Sequence, residues 1–409
     1  MKRILLLFIF LILTCISFAQ KETKSSFNFK LKGFIKTDAI LDSRQTIAAR
    51  EGHFLLYPAA EVLDVNGEDI NANPNFNMLS IQTRITGIIT GPEAFGAKTS
   101  GLIEGAFFGN IGTDINGFRL RHAFVKLDWE KSSLLMGQYW HPMFITEVFP
   151  GTISFNTGVP FQPFSRNPQI RFTKRISNLY ASVTAASQRD FASTGPNGTS
   201  SSYLRNSVIP ILNFTLKYKT KAVVLGAGAN YITLTPRIVT PNDYATSESI
   251  GALSTMAFAK LVINKFTVKF EGIYGANTTD LLMLGGYAVK SEDAVTGAEV
   301  YTNTKTLSAW TDLSYGKDFG FGLFAGYTKN LGTEEENLGT YFSRGSNIES
   351  VLRVSPRLYY QINKFRFASE LEYTSATYGT PNNMGEVETG VTVGNVRFLF
   401  AAYLFFATN

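Results

Sequence analysis

From residue 27 onward, apolar and polar residues alternate in segments of roughly 10–15 residues, each closed by a break. Some breaks are very short: 130–132, 176–178, 219–221, 264–265, 316–318 and 363–364. Others are long and polar: 42–75, 144–167, 190–206, 236–248, 277–304, 331–349 and 378–394. Short and long breaks take turns along the chain. That order is expected of an antiparallel barrel crossing a membrane, with tight turns on the periplasmic side and long loops outside. The alternation predicts strands at 27–41, 77–91, 98–110, 117–129, 133–143, 168–176, 179–190, 207–219, 222–236, 248–263, 266–277, 303–315, 319–331, 349–362, 365–377 and 395–406. The count is sixteen, and eighteen if 386–393 adds a strand.

The period of two also sorts the faces. In 395–406, Val396, Phe398, Phe400, Ala402, Leu404 and Phe406 share one side and Arg397 takes the other. In 349–362, Leu352, Val354, Leu358 and Tyr360 oppose Arg353, Ser355 and Arg357. Gln169, Arg171, Thr173 and Arg175 line up together, as do Ser80, Gln82, Arg84 and Thr86. An arginine facing lipid at mid-membrane costs about 2–4 kcal/mol, so these polar rows are assigned to the interior. The fold class is therefore all-β: a transmembrane antiparallel barrel filling 27–409 as one domain.

Composition agrees. Aromatics are 13% of 409 residues and charged residues only 17%. The first twenty residues carry Lys2 and Arg3, an apolar run and Ser17-Phe18-Ala19 before Gln20, which reads as an export signal over 1–19 followed by a short segment 20–26. A membrane anchor, or lipidation at Cys15, would be the other uses of that stretch. Cys15 is the single cysteine, which leaves 20–409 without disulfides or Cys-based metal sites. Beyond residue 19 no apolar run approaches the roughly 18 residues of a spanning helix. The net charge of +6 comes without a dense basic run, so nucleic acid is not an expected partner.

Three sets of residues could carry function. The segment 144–167 is rich in Pro, Gly and aromatics, and so predicts a compact excursion rather than a floppy tip. The second set is arginine on interior faces: Arg84, Arg119, Arg121, Arg171, Arg175, Arg353, Arg357, Arg366 and Arg397, with Arg166 at the end of 144–167. Fixed guanidinium groups in a water-filled lumen concentrate anions and bind carboxylate or phosphate in pairs. Interior acids are fewer: Glu104, Glu271, Asp312, Glu370 and Glu372. The competing use of both sets is cross-strand pairing that only holds the wall, with Glu370 and Glu372 meeting Arg353 and Arg357. Third, His122 is expected on the face opposite both neighbouring arginines, and nothing sets it at metal-ligand spacing with His141. No GxSxG, HExxH or phosphate-loop motif is present, so an enzyme has no positive support and no cofactor is implied.

The hairpin FRLRHAFVKL followed by LLMGQYWHPMF resembles the R-x-R-H-A-[YF] … G-Q-x-[WS] hairpin of DcaP-like trimeric porins. The signal ending Ala-Gln and the strand composition are similar to those of Bacteroidetes outer-membrane proteins. The resemblance implies that Arg119 and Arg121 line the pore. It also implies that Gln138 and Trp140 sit at its narrowing, and that 144–167, with Glu147 and Arg166, folds inward as the constriction. It further implies a homotrimer in the outer membrane of a Gram-negative bacterium, passing small hydrophilic, mainly anionic solutes by diffusion. Two features depart from it: about seven residues separate Gln20 from the first strand, leaving no N-terminal coiled coil, and the chain ends Phe-Phe-Ala-Thr-Asn rather than on an aromatic residue. The rival expectations are an adhesive or structural barrel with a plugged lumen, an outer-membrane enzyme, and a soluble secreted β-protein.

Overall fold

The computed structural model describes residues 27–109 and 114–408; the expected signal 1–19 and segment 20–26 lie outside the described residues. Sixteen antiparallel strands close on themselves. They are β1 Asn28–Asp42, β2 in two pieces (Asn75–Leu79 and Arg84–Thr90), β3 Lys98–Phe107, β4 Phe118–Asp128, β5 Ser132–Trp140, β6 Arg166–Ile176, β7 Leu179–Ala186 and β8 Ile211–Lys219. The second half comprises β9 Val223–Leu234, β10 Ile250–Ile263, β11 Phe266–Ala276, β12 Glu299–Gly316, β13 Phe319–Thr333, β14 Ile348–Ile362, β15 Phe365–Pro381 and β16 Val387–Ala407. The barrel closes where β1 pairs with β16, from Lys32 opposite Ala407 to Asp42 opposite Arg397. The strand expected at 395–406 begins earlier: 386–393 is its continuation and adds no strand of its own.

Along β10, Ile250, Ala252, Ser254, Met256 and Phe258 are buried while Gly251, Leu253, Thr255, Ala257 and Ala259 are exposed. Elsewhere the exposed side carries the large apolar residues, such as Leu352, Leu358, Phe398 and Phe400, while Arg353, Ser355, Arg357 and Arg397 are buried. A soluble protein has the opposite arrangement. Tight turns close the hairpins at one end of the barrel. Asn264 and Asn363 sit at φ +54° and +51°, the left-handed geometry that two-residue turns need and asparagine tolerates.

Two bulges change the expected faces, because one extra residue moves every later side chain to the other side. In β2 the pairing with β1 shifts between Leu79 and Arg84, so Leu79 and Ile81 turn inward and Ser80 is exposed, against the expectation that Ser80 would join Gln82 and Arg84. In β4 the register shifts between Glu104 and Gly105 of its partner. Arg121 and His122 then both point inward, rather than to opposite faces. His122 Nε2 lies 3.8 Å from the same Glu104 oxygen that Arg121 binds at 2.7 Å.

If the outer face meets lipid, Phe400→Arg should cost about 2–4 kcal/mol of refolding free energy in liposomes. Urea titration of the refolded barrel measures this; a loss near zero would mean that this face is not in hydrocarbon.

Candidate functional site

Residues 141–165, between β5 and β6, run inside the barrel. Their base is closed by His141 N–H donating to Ser165 O at 2.9 Å. A helical turn follows, with Val148 and Phe149 N–H donating to Ile145 O. Trp140 stacks on Phe144 at 3.9 Å between ring centres, and Phe164 meets both rings edge-on. The segment then crosses to the far wall. Lys269 Nζ on β11 donates to Phe149 O at 2.9 Å. Ile153 and Ser154 N–H both donate to the Glu370 carboxylate on β15, at 2.6 and 3.3 Å. Asn156 Nδ2 donates to Glu372 at 2.8 Å, Arg353 Nη1 to Val159 O at 2.6 Å, and Ser308 Oγ to Phe161 O at 3.0 Å. Lys36 on β1 reaches Ile153 O at 2.9 Å. Prolines and glycines let the segment turn, and its aromatics supply the apolar filling that Phe54, Phe108 and Phe324 complete. A second segment, Thr278 to Leu284, also packs inside, and Leu281 O accepts from Phe164 N–H.

The interior arginines are mostly in ion pairs. Arg121 and Arg84 share Glu104, at 2.7 and 3.6 Å, and Thr86 Oγ1 donates to the same carboxylate. Arg119 and Arg166 share Asp190. Arg353 pairs with Glu372 at 3.4 Å, and Arg397 with Asp42 at 2.7 Å. Arg357 binds Asp312 on β12 through both Nη atoms, at 2.7 and 3.1 Å, although Glu370 stands opposite it in the ladder. Glu370 is taken by the loop amides, which explains the different choice of partner. Arg171 donates to Trp140 O and to Gln169 Oε1 and has no carboxylate partner among the described residues. Arg175 lies beside the short turn at 177–178 and is exposed. Arg366 is held by Gln361. Gln138 Nε2 donates to Arg121 O at 3.0 Å, which ties β5 to the bulge on β4. Gly137, at φ +132°, sits where an added Cβ would strike Ala123 O.

A cavity of about 360 Å³ opens between the first turn of the inward segment and strands β4 to β8. Phe124, Tyr139, Phe144 and Tyr180 give it an aromatic wall, and Arg171 and Lys217 line it together with Glu147. Burial alone would push the Glu147 carboxyl up, but Lys217 at 2.7 Å and Lys219 at 3.0 Å outweigh it and hold the group down at about 2.

Several residues at this site carry little sequence signal. Lys36 and Asp38, a buried pair 2.9 Å apart on β1, are not among the interior residues that the sequence singled out, although the period of two puts them on one face. Asp190 closes the strand expected at 179–190, but that strand stops at Ala186 and the chain reaches Asp190 as a loop, while Arg50 and the hairpin Thr46–Ala49 with Phe54–Pro58 lie in a segment without periodicity, so nothing in the pattern aims them inward.

No family model matches the chain, and no curated protein does. Among solved structures, it is similar to the outer-membrane channel DcaP of Acinetobacter baumannii, at 15% identity and TM-score 0.68, over 95% of this chain and all of that one. It is also similar to OmpT of Vibrio cholerae, at 10% identity and TM-score 0.56, over 95% and 99%. At these identities the likeness is one of fold: the chain has the barrel of outer-membrane porins.

Glu370→Ala removes the acceptor for two loop amides, a loss of about 1–3 kcal/mol. Hydrogen exchange at Ile153 and Ser154 should then speed up roughly 5- to 150-fold, while β15 amides stay protected. Glu147 has a depressed value, so its stabilisation is present above the unfolded value of about 4.3 and is lost as pH falls toward the folded one. The difference in thermal stability between the native chain and Glu147→Gln should therefore be flat above pH 5 and shrink as pH drops toward 2.

Proposed function

We propose that this chain is an outer-membrane channel through which small hydrophilic solutes, anions in preference, diffuse passively. The observation that carries the reading is the barrel's inversion, apolar outside and polar within, with a long segment anchored across the lumen by at least four strands of the opposite wall. Residues 144–167 would set the size limit. Arg171 and Lys217, facing the cavity beside the single acid Glu147, support an anion preference. Arg119 and Arg121 would act through the field of their cluster rather than as bare groups, because carboxylates already occupy them. The role of 1–19 is export to a Gram-negative outer membrane, in keeping with the Bacteroidetes resemblance. Assembly as a homotrimer is supported by the resemblance to trimeric porins and by an OmpT structure described as a trimer form, at TM-score 0.56.

A second reading, a closed barrel used for structure or adhesion, is favoured by one observation. Phe54, Phe108, Phe155 and Phe164 pack together inside and are almost wholly buried. Planar bilayers separate the two. The channel reading expects an anion-selective reversal potential across a potassium chloride gradient, with selectivity reduced by Arg171→Gln. A cation-selective potential would reverse the charge assignment, and absence of conductance would favour the closed barrel.

A further inference from the structure

The segment after β7 turns back into the barrel instead of standing out from it. Ser187 N–H donates to Pro168 O at 2.9 Å, Asn167 Nδ2 to Ser187 O at 2.6 Å, and Asp190 N–H to Arg166 O at 3.3 Å. These bonds place the Asp190 side chain, almost fully buried, between two arginines from different strands. Arg166 Nε donates to Oδ2 at 2.6 Å, and Arg119 Nη2 donates to Oδ1 and, at 3.3 Å, to the backbone oxygen of Asp190.

The surroundings are not those of a balanced ion pair. Arg50, Arg121 and Arg166 gather over Phe108, and Arg84 and Arg119 join them through Glu104 and Asp190, so that among the described residues five guanidinium groups stand with two carboxylates. Arg166 keeps both Nη atoms buried and without a hydrogen-bond partner among the described residues, and so does Arg121 for Nη1. A guanidinium normally offers a carboxylate its paired nitrogens. Here Asp190 takes one nitrogen from each arginine and leaves the forks unused.

We propose that Arg119 and Arg166 form a carboxylate-binding site whose built-in occupant is Asp190, and that Asp190 is thereby a selectivity-determining residue of the channel. This rests on the channel reading above. The site takes small carboxylates, and the chain supplies one from its own loop. While Asp190 is in place it lowers the positive potential of the cluster. A mobile carboxylate must compete with one that the fold already holds buried against both arginines, so it gains the site only when Asp190 is absent. Without Asp190, the same arginines would hold a solute carboxylate instead.

The test uses the full-length chain and Asp190→Gly in planar bilayers under a potassium chloride gradient, with acetate as the probe. The expected result is a rise in the chloride-to-potassium permeability ratio of about twofold or more in Asp190→Gly. Low-millimolar acetate should block the variant and leave the native channel unaffected, and Asp190→Glu should keep the native ratio. If native and Asp190→Gly channels conduct with the same ratio and the same acetate response, the proposal is overturned while the channel reading stands. If the native chain does not conduct, the channel reading falls and takes the proposal with it. If Asp190→Gly does not fold alone, refolding is repeated with acetate and with chloride at equal ionic strength. Recovery with acetate alone supports the site, and equal failure in both overturns it.

Discussion

The constraint on which the structure depends is that hydrocarbon offers no partner to a peptide group. Every N–H and C=O of a membrane-crossing strand must find another strand, and the first strand must find the last. Sixteen strands satisfy this with β1 against β16, and Arg397 bound to Asp42 inside the same seam. Once the wall is closed, its outer face is committed to apolar residues and its inner face is free to be polar. The arginines, the carboxylates and the inward segment follow from that division.

The interior is not an empty tube. It holds a small aromatic core built from loop residues and a ring of charge pairs built from strand residues, and the two are joined. Glu370 binds loop amides, Arg353 binds a loop carbonyl as well as Glu372, and Lys36 spans Asp38 and Ile153. A buried ion pair gains little over apolar packing, yet breaking one partner is costly. Such pairs fix where the inward segment lies more than they add to stability. The room left beside it, edged by Arg171, Lys217 and Glu147, is where the proposed anion preference would act.

Much of the wall was legible from the chain. A period of two is robust over strands of eight to twenty-one residues, and the alternation of short and long breaks orders them. What the pattern does not carry is local irregularity. One extra residue in β4 brings His122 to the side of Arg121, and one in β2 sends Ser80 outward. Nor does periodicity say where aperiodic segments go. Asp190 and Arg50 meet the strand arginines only through loop paths, and the choice of Asp312 over Glu370 by Arg357 depends on a third party, the amides of Ile153 and Ser154. Pairing along a ladder is read from register; pairing through a loop needs the loop.

The inward segment also touches both sides of the closing seam: Lys36 on β1, and Glu370 and Glu372 on β15 beside β16. Those anchors are 117 residues upstream of Ile153, 217 downstream of it and 216 downstream of Asn156. Contacts of such separation form late, because the intervening chain must be ordered first. The segment therefore completes its docking only when the cylinder is shut, and its protection from exchange or cleavage is a built-in clock for the final step of assembly.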